Sequence, residues 1–237
     1  MSSSVEDAVL ARIAAAPVLR EPFAHCVVDD VFPEEFYESI IDHWPEEESW
    51  RPLSESGRVS KGSYAQRQVV LMNPEGYARL DPERRAFWEH DVGTWLLGDR
   101  FRAAVLEKFE KKAQSSAGDA LIVSDRNTYA IGPHTDAKHR LVSLLFYLPE
   151  DETFRRFGTS FYRPLDPDFR CAGGPHYAFK NFKQVKTVEF VPNRLVVFPK
   201  TDQCFHGVER IDLPGIDRRL LIYNVRLTLS STSSQSP

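Results

Sequence analysis

The sequence predicts a mainly β protein with a layer of helices in front of its β core. In residues 116–229, short runs rich in β-branched and aromatic residues alternate with turn formers such as Gly132-Pro133 and Pro214-Gly215. Several short strands with this punctuation are typical of an all-β sandwich or barrel. Residues 1–115 favour helices instead. We therefore expect a double-stranded β-helix, or jelly roll, behind an N-terminal helical layer.

The helical layer is expected to begin after a strand-like segment, Cys26-Val27-Val28. A helix is predicted at Pro33–Asp42, because proline suits the first turn, where its missing N–H would have no intrahelical acceptor. This segment also carries apolar residues at helical spacing, namely Phe36, Ile40 and Ile41. Two more helices are expected within Asp81–Lys112, with a break near Gly98-Asp99.

Seven short runs in the second half are predicted to be strands of the jelly roll. They are Leu121–Val123, Leu141–Leu148, Thr159–Tyr162, Val185–Val191, Leu195–Phe198, Cys204–Ile211 and Leu220–Leu227. Residues 151–183 include a poorly periodic insertion rich in Phe, Arg, Pro and Gly. Long loops inside compact domains commonly serve as lids or binding loops. We expect this insertion to act as a lid that helps to select the substrate.

The composition is that of a soluble globular protein. Of 237 residues, 42% are hydrophobic and 27% are charged, which provides enough apolar mass for a core. One domain over residues 1–229 is the simplest count, with 1–115 as mainly helical support and 116–229 as the jelly-roll core. Residues 230–237 are rich in serine, and we expect this tail to be disordered.

Charge and cysteine content argue against several classes of protein. The formal net charge of -4 lacks the basic footprint of a nucleic-acid binder. No apolar run approaches the ~20 residues that a membrane-spanning helix needs. The N-terminal segment carries acids where a signal peptide carries bases. Three cysteines without metal-finger spacing favour free thiols in a reducing compartment. The expected setting is therefore the cytoplasm, with neither nucleic acid nor membrane as partner.

The most informative pattern is His134-Thr135-Asp136, followed by His206 in Cys204-Phe205-His206-Gly207-Val208. Two imidazoles and one carboxylate can hold one metal ion and leave other positions open for substrates, as in the facial triad of non-haem Fe(II) oxygenases. His134 and Asp136 alternate at a predicted strand end, so their side chains should project to the same face. The alternative is that these are three unrelated polar residues of the core or surface.

The chain resembles the 2-oxoglutarate- and Fe(II)-dependent dioxygenases, in particular the branch around the prolyl 4-hydroxylases. The matching stretches are Glu21–Pro33, Tyr129–Asp136, Leu144–Leu148, Leu195–Pro199, His206–Val208 and Arg218–Ile222. The resemblance implies that His134, Asp136 and His206 bind Fe(II). It also implies 2-oxoglutarate as a co-substrate that chelates the metal, O2 as the oxidant, and ascorbate as a candidate reductant.

The distal carboxylate of 2-oxoglutarate would need a cation on the strand after His206. Arginine suits this role because its planar fork meets a carboxylate bidentately. Arg218 and Arg219 are the two candidates, and strand alternation lets only one of them face the interior. We favour Arg218, with Leu220 and the residues that alternate after it, Ile222 and Asn224, on the same face. The family often has a serine two residues after its arginine, and here that position is a leucine.

Asn127 and Tyr129 precede His134 at alternating positions. Members of the family use an Asn-x-Tyr there to hydrogen-bond 2-oxoglutarate, so the resemblance adds both residues to the expected co-substrate site. The alternative is that they are ordinary residues of a β-strand, in which tyrosine is common.

The expected function is the hydroxylation of an unactivated C–H bond, coupled to the decarboxylation of 2-oxoglutarate to succinate. An amino acid, a peptidyl side chain and a small metabolite remain open as substrates. Asp136 favours hydroxylation over halogenation, because halogenating relatives replace this carboxylate to admit a halide. Two alternatives remain: a cupin-like metal-binding jelly roll that binds or isomerises a sugar without O2, and a pseudoenzyme used as an interaction module.

Overall fold

The computed structural model describes residues 2–59 and 64–228, and its α-helices lie in the first half of the chain. They are α1 (Ser2–Ala15), α2 (Glu34–Asp42), α3 (Pro74–Tyr77), α4 (Pro82–Ala86), α5 (Gly93–Leu96) and α6 (Asp99–Lys108). None of the helices in the described ranges is long and apolar enough to cross a membrane. The tail expected to be disordered, 230–237, lies outside the described residues.

The predicted helices are confirmed, with ends that their sequences explain. Pro33 lies at the N-cap of α2, one residue before the helix proper. Asp81 caps α4, since its Oδ1 accepts hydrogen bonds from the backbone N–H groups of Glu83 and Arg84. A π-helical turn at Phe87–Val92 joins α4 to α5. Gly98, in an extended conformation, separates α5 from α6 where the break was expected.

Eleven strands are found among the described residues. They are β1 (Cys26–Val28), β2 (Arg51–Pro52), β3 (Arg67–Leu71), β4 (Ser116–Asp125), β5 (Ile131–His134), β6 (Arg140–Tyr147), β7 (Thr159–Pro164), β8 (Phe182–Val188), β9 (Arg194–Pro199), β10 (His206–Val208) and β11 (Arg218–Leu227). The major sheet has the order β1-β9-β6-β11-β4-β3-β2, and the minor sheet has the order β5-β10-β7-β8. All of these pairings are antiparallel, so the expected double-stranded β-helix is confirmed.

The seven predicted runs all overlap strands, but the expectation that residues 1–115 favour helices misses the two-residue strand β2 and also β3. This strand pairs with β4, where Val69 lies opposite Val123. Val69, Val70 and Leu71 are buried. Their short apolar run has no local signal that separates strand from helix, and the long-range pairing with β4 decides the outcome.

The two faces of the major sheet bury different sets of side chains. On β11, Leu221, Tyr223 and Val225 pack into the apolar core shared with the helical layer. Leu220 and Ile222 alternate with them and point between the two sheets. Since side chains alternate along a strand, each strand of the major sheet supports the helices with one face and lines the interior with the other. The interior between the sheets is where the functional side chains meet.

Leu144→Ala is expected to lower the free energy of unfolding by about 3 kcal/mol. Leu144 lies in β6, in the middle of the major sheet, and is fully buried. Truncation would leave a cavity in the core between sheet and helices. Urea unfolding monitored by circular dichroism measures the change. Leu165→Ala is the control, because Leu165 is 64% exposed and its loss should change the free energy by at most about 0.5 kcal/mol. Equal effects of the two substitutions would contradict this description of the core.

Candidate metal centre and its cavity

The three predicted metal ligands meet in space. Donor atoms of His134, Asp136 and His206 lie within 4.8 Å of one another, and all three residues are buried. His134 ends β5 and is the register partner of His206, which begins β10. Asp136 follows two residues after His134, so its carboxylate reaches the same point. Among the described residues, these three form the one group of at least three metal-binding side chains that lie close enough to share an ion.

The hydrogen bonds of the two imidazoles suit metal binding. Nδ1 of His134 lies 3.0 Å from the carbonyl oxygen of Gly132, and Nδ1 of His206 lies 2.9 Å from that of Cys204. Each Nδ1 therefore carries the ring proton and donates a hydrogen bond to a backbone oxygen. This leaves Nε2 of each ring as the free lone pair, which is the arrangement typical of metal-ligating histidines.

The protonation states also suit a divalent cation. Burial, reinforced by the neighbouring His206, lowers the pKa of His134 to about 3. Burial likewise lowers the pKa of His206, although the nearby Asp136 opposes the shift. Burial alone would raise the pKa of Asp136, but Arg140 and the two histidines bring it below its usual range. At neutral pH the site therefore presents two neutral imidazoles and one carboxylate, the forms that bind metal.

Two residues that the sequence analysis did not single out hold Asp136 in place. Arg140 donates to its Oδ1 at 2.6 Å, and Ser143 donates to its Oδ2 at 2.6 Å. Both residues lie on β6, which begins at the end of the turn at 137–140, and the backbone N–H of Arg140 donates to the carbonyl oxygen of Ala137 to close that turn. No spacing rule marks these residues, because the turn at 137–140 brings them back toward Asp136.

The predicted lid is anchored against the metal centre. Thr135 donates its hydroxyl to the backbone oxygen of Cys171, and the N–H of Tyr177 donates to the oxygen of Pro133. A Cβ at Gly132 would collide with the carbonyl oxygen of Tyr177, so glycine permits this close approach. The ring of His176 lies 4.6 Å from that of His134, centroid to centroid. The segment 151–183 therefore covers one side of the triad.

The metal centre opens into a cavity of about 590 Å³ between the two sheets. Its lining combines the triad with the inward-facing residues of β11, which are Arg218, Leu220, Ile222, Asn224 and Arg226. The prediction that Leu220, Ile222 and Asn224 share a face with Arg218 is confirmed. Polar groups lie at both ends of this row, and apolar side chains lie in its middle.

At the closed end of the row, Arg67, Asp125 and Arg218 form an inner cluster. Arg218 is 1% exposed and donates to Asp125 at 2.7 Å, while Arg67 donates to both oxygens of the same carboxylate at 2.6 and 2.9 Å. One nitrogen of Arg218, Nη2, finds no partner among the described residues. Two guanidinium groups thus share one carboxylate, and a buried positive charge is left that an anion would neutralise.

The hydroxyl of Tyr129 lies in the same end of the cavity. Tyr129 is fully buried, lines the cavity, and its hydroxyl finds no partner among the described residues. Burial raises the pKa of Tyr129, so the hydroxyl keeps its proton at neutral pH and can donate a hydrogen bond to a ligand. The ring also lies against Arg67, at 4.6 Å from guanidinium carbon to ring centroid.

Arg219, the other candidate cation, faces away from the cavity. It forms ion pairs with Asp217 at 2.8 Å and Glu150 at 2.6 Å, and it lies over the ring of Trp44 in the helical layer. Alternation along β11 therefore separates the two arginines as expected.

The structure does not place Asn127 at the cavity. Alternation along a strand was expected for Asn127 and Tyr129, but β4 ends at Asp125 and a turn follows, in which Thr128 has a φ of 70°. The Oδ1 of Asn127 accepts hydrogen bonds from the backbone N–H groups of Thr128 and Leu213, at 3.0 and 2.9 Å. Its side chain thus stabilises a loop, whereas Tyr129 alone reaches the interior.

Neither a protein-family model nor a curated protein matches this chain. Solved structures do match. EvdO2 from Micromonospora carbonacea var. aurantiaca superposes with a TM-score of 0.53 and 12% identity over 100% of this chain and 95% of that chain. The non-haem α-ketoglutarate-dependent carbocyclase SnoK from nogalamycin biosynthesis gives 0.52 and 14% over 93% and 83%. A Pseudomonas putida prolyl-4-hydroxylase gives 0.47 and 13% over 94% and 100%.

Identities this low show a shared fold and nothing further. Because SnoK, at a TM-score of 0.52, is a non-haem α-ketoglutarate-dependent enzyme, the resemblance noted in the sequence is confirmed at the level of the fold. The chain has the double-stranded β-helix fold that this class of proteins also has.

His134→Ala is expected to weaken the binding of one divalent ion per chain by more than about 100-fold. Loss of a residue that only hydrogen-bonds a metal ligand already lowers metal affinity about 10- to 100-fold, and His134 would be a ligand itself. Anaerobic titration calorimetry with Fe(II), and with Co(II) as a second probe, measures the affinity. His90→Ala is the matched control, because His90 is exposed on the helical layer. If His134→Ala binds the ion as tightly as His90→Ala does, His134 is not a ligand.

Proposed function

We propose that this protein is an Fe(II)- and 2-oxoglutarate-dependent oxygenase that hydroxylates an unactivated C–H bond. One observation carries the proposal: the His134, Asp136 and His206 triad lies in the same cavity as the buried, positively charged inner cluster. A metal site and a dicarboxylate site that share one cavity suit a co-substrate that must reach both.

The triad would bind the metal, and the residues at the inner end of the cavity would bind 2-oxoglutarate. His134, Asp136 and His206 would hold Fe(II) and leave its other positions open. Arg218 would receive the distal carboxylate of 2-oxoglutarate through its free Nη2, and the Tyr129 hydroxyl would donate a further hydrogen bond. O2 would be the oxidant, and bound Fe(II) and 2-oxoglutarate would activate it, with 2-oxoglutarate as the two-electron reductant: one O2, one 2-oxoglutarate and one substrate C–H bond give succinate, CO2 and one C–OH group.

The residues around the triad would orient the reactants and exclude water. Arg140 and Ser143 fix the carboxylate of Asp136, so that it meets the ion in one orientation. The apolar middle of the cavity, with Leu220 and Ile222, would exclude water from the space between Arg218 and the metal centre. The presence of Asp136 also supports hydroxylation over halogenation, because it occupies the position that a halide would need.

The inner cluster favours this function over the cupin-like alternative. A neutral sugar would leave the extra positive charge of Arg67 and Arg218 without a counter-ion, whereas a dicarboxylate neutralises it. The intact triad likewise argues against a pseudoenzyme used only as an interaction module. The substrate proposed is a small molecule or a peptidyl side chain.

Anaerobic addition of 2-oxoglutarate to the Fe(II)-loaded protein should give a visible metal-to-ligand absorption band, because the keto acid chelates the ion directly. After O2 is admitted, succinate should form slowly alone and faster with the right compound from a panel of amino acids, peptides and small metabolites. Asp136→Ala should give neither band nor succinate, while its circular dichroism stays unchanged. If the wild-type protein shows no band at saturating 2-oxoglutarate, the proposal is wrong.

Arg218→Gln is expected to raise the Kd for 2-oxoglutarate by about 10- to 100-fold, the loss of one charge-assisted hydrogen-bonding partner. Arg219→Gln is the matched control: it removes the same charge from the adjacent position on the other face of β11. The Kd follows from the anaerobic absorption titration. Fe(II) affinity is measured in parallel to show that the metal centre is intact.

A second variant guards against a folding defect, because Arg218 is fully buried. Arg218→Lys keeps the charge but loses the planar fork, so it should give an intermediate Kd. Equal effects of Arg218→Gln and Arg219→Gln would remove Arg218 from the co-substrate site.

A further inference from the structure

A second group of arginines lines the cavity near the metal centre, on the side away from the inner cluster. Arg58, Arg140 and Arg226, with Asp119, form what we call the outer cluster. Arg58 and Arg226 both pair with the carboxylate of Asp119, the latter at 3.4 Å. Arg140 donates to Asp136. The three arginine side chains are 29%, 30% and 41% exposed for Arg58, Arg140 and Arg226, so solvent and ligands can reach them.

The outer cluster has an excess of positive charge. Arg140 and Arg226 are register partners on β6 and β11, a position in which like charges repel each other. Asp119 is the carboxylate that Arg58 and Arg226 share, and Asp136 becomes a ligand when a divalent ion binds. The bound ion adds positive charge beside Arg140. An anion at this end of the cavity would relieve the repulsion.

A second observation points to a ligand at the same place. Asn224 is 2% exposed and lines the cavity, yet its Oδ1 finds no hydrogen-bond partner among the described residues. It lies in one row across the major sheet, between Asp119 on β4 and Ser143 on β6. A buried acceptor without a partner costs free energy, which a donor on a bound molecule would recover.

This site is separate from the one proposed for 2-oxoglutarate. Arg226 follows Arg218 by eight residues on β11, which is roughly 27 Å along an extended strand. One small dicarboxylate cannot contact both Arg218 and Arg226. The metal centre lies between them, level with Asn224, since Ser143 bonds Asp136 and is the register partner of Asn224.

We propose that the substrate is a small organic anion whose carboxylate or phosphate group binds Arg226 and Arg58. Asn224 accepts a hydrogen bond from a hydroxyl or amine on the same molecule, and the carbon to be oxidised then lies beside the metal centre. This inference rests on the proposed oxygenase function and names the class of its substrate. Charge recognition by the outer cluster also explains how substrate and co-substrate, both anionic, would take opposite ends of one cavity.

Three probes test whether binding requires a negative charge: phenyl phosphate, benzoate and benzyl alcohol. Each contains one benzene ring, and only the alcohol is neutral. Their binding is measured by titration calorimetry on protein loaded with Zn(II) and saturating 2-oxoglutarate, which cannot turn over and has the inner cluster filled. We expect phenyl phosphate or benzoate to bind at least about tenfold more tightly than benzyl alcohol. The stronger of the two anions identifies the charged group as phosphate or carboxylate.

Arg226→Gln should weaken the binding of the preferred anion by about tenfold, whereas Arg226→Lys should retain most of it. Lys138→Gln is the control for loss of a nearby charge, because Lys138 is exposed in the turn at 137–140 and does not line the cavity. Unchanged binding in Arg226→Gln, equal binding of benzyl alcohol, or binding of neither anion would each overturn the inference.

A separate titration distinguishes this failure from failure of the proposed function. 2-Oxoglutarate is first titrated into the Zn(II)-loaded protein, and an absence of binding there counts against the oxygenase proposal itself. The anion titration is then repeated without 2-oxoglutarate in Arg218→Gln and Arg226→Gln. Sensitivity to Arg226→Gln alone supports the outer cluster as a site in its own right, and sensitivity to Arg218→Gln alone overturns it.

Discussion

The antiparallel pairing of β5 with β10 is the constraint on which the candidate site depends. These two short strands place His134 opposite His206, and the register shifts between His206 and Val208. Because side chains alternate along a strand, a slip of one residue would turn one imidazole away from the other. Gly207 permits the pairing: a Cβ there would lie 2.5 Å from the carbonyl oxygen of Ile131. A candidate metal centre made of residues distant in sequence thus depends on a local fit between two backbones.

Paired buried charges hold the side chains of the interior in place. Asp125 is fully buried and meets two arginines, and Asp136 is 6% exposed and meets Arg140 and Ser143. Charges are costly to bury unless their partners are present in good geometry, so these contacts fix the side chains that a ligand meets. A site assembled in advance loses less conformational entropy when a ligand binds.

The sequence predicted those parts of the site that depend on alternation and on motif order. The choice of Arg218 over Arg219 needed only the period of a strand, and the triad needed only its spacing and residue types. Arg67, Asp125, Arg140 and Ser143 were missed because they meet their partners through strand pairing and through the turn at 137–140. Asn127 was misplaced for the converse reason: the alternation assumed for it ends at Asp125, where a turn with a positive φ at Thr128 begins.

One strand therefore links most of what the cavity does. On β11 the inward positions run from a buried cation, Arg218, through Leu220 and Ile222, to the polar Asn224 and the more exposed Arg226. The outward positions, such as Leu221 and Tyr223, pack against the helical layer. Since the helices hold the outward face, the inward row cannot shift along the strand without breaking that core. The helical layer thus fixes the spacing between the two cationic ends of the cavity.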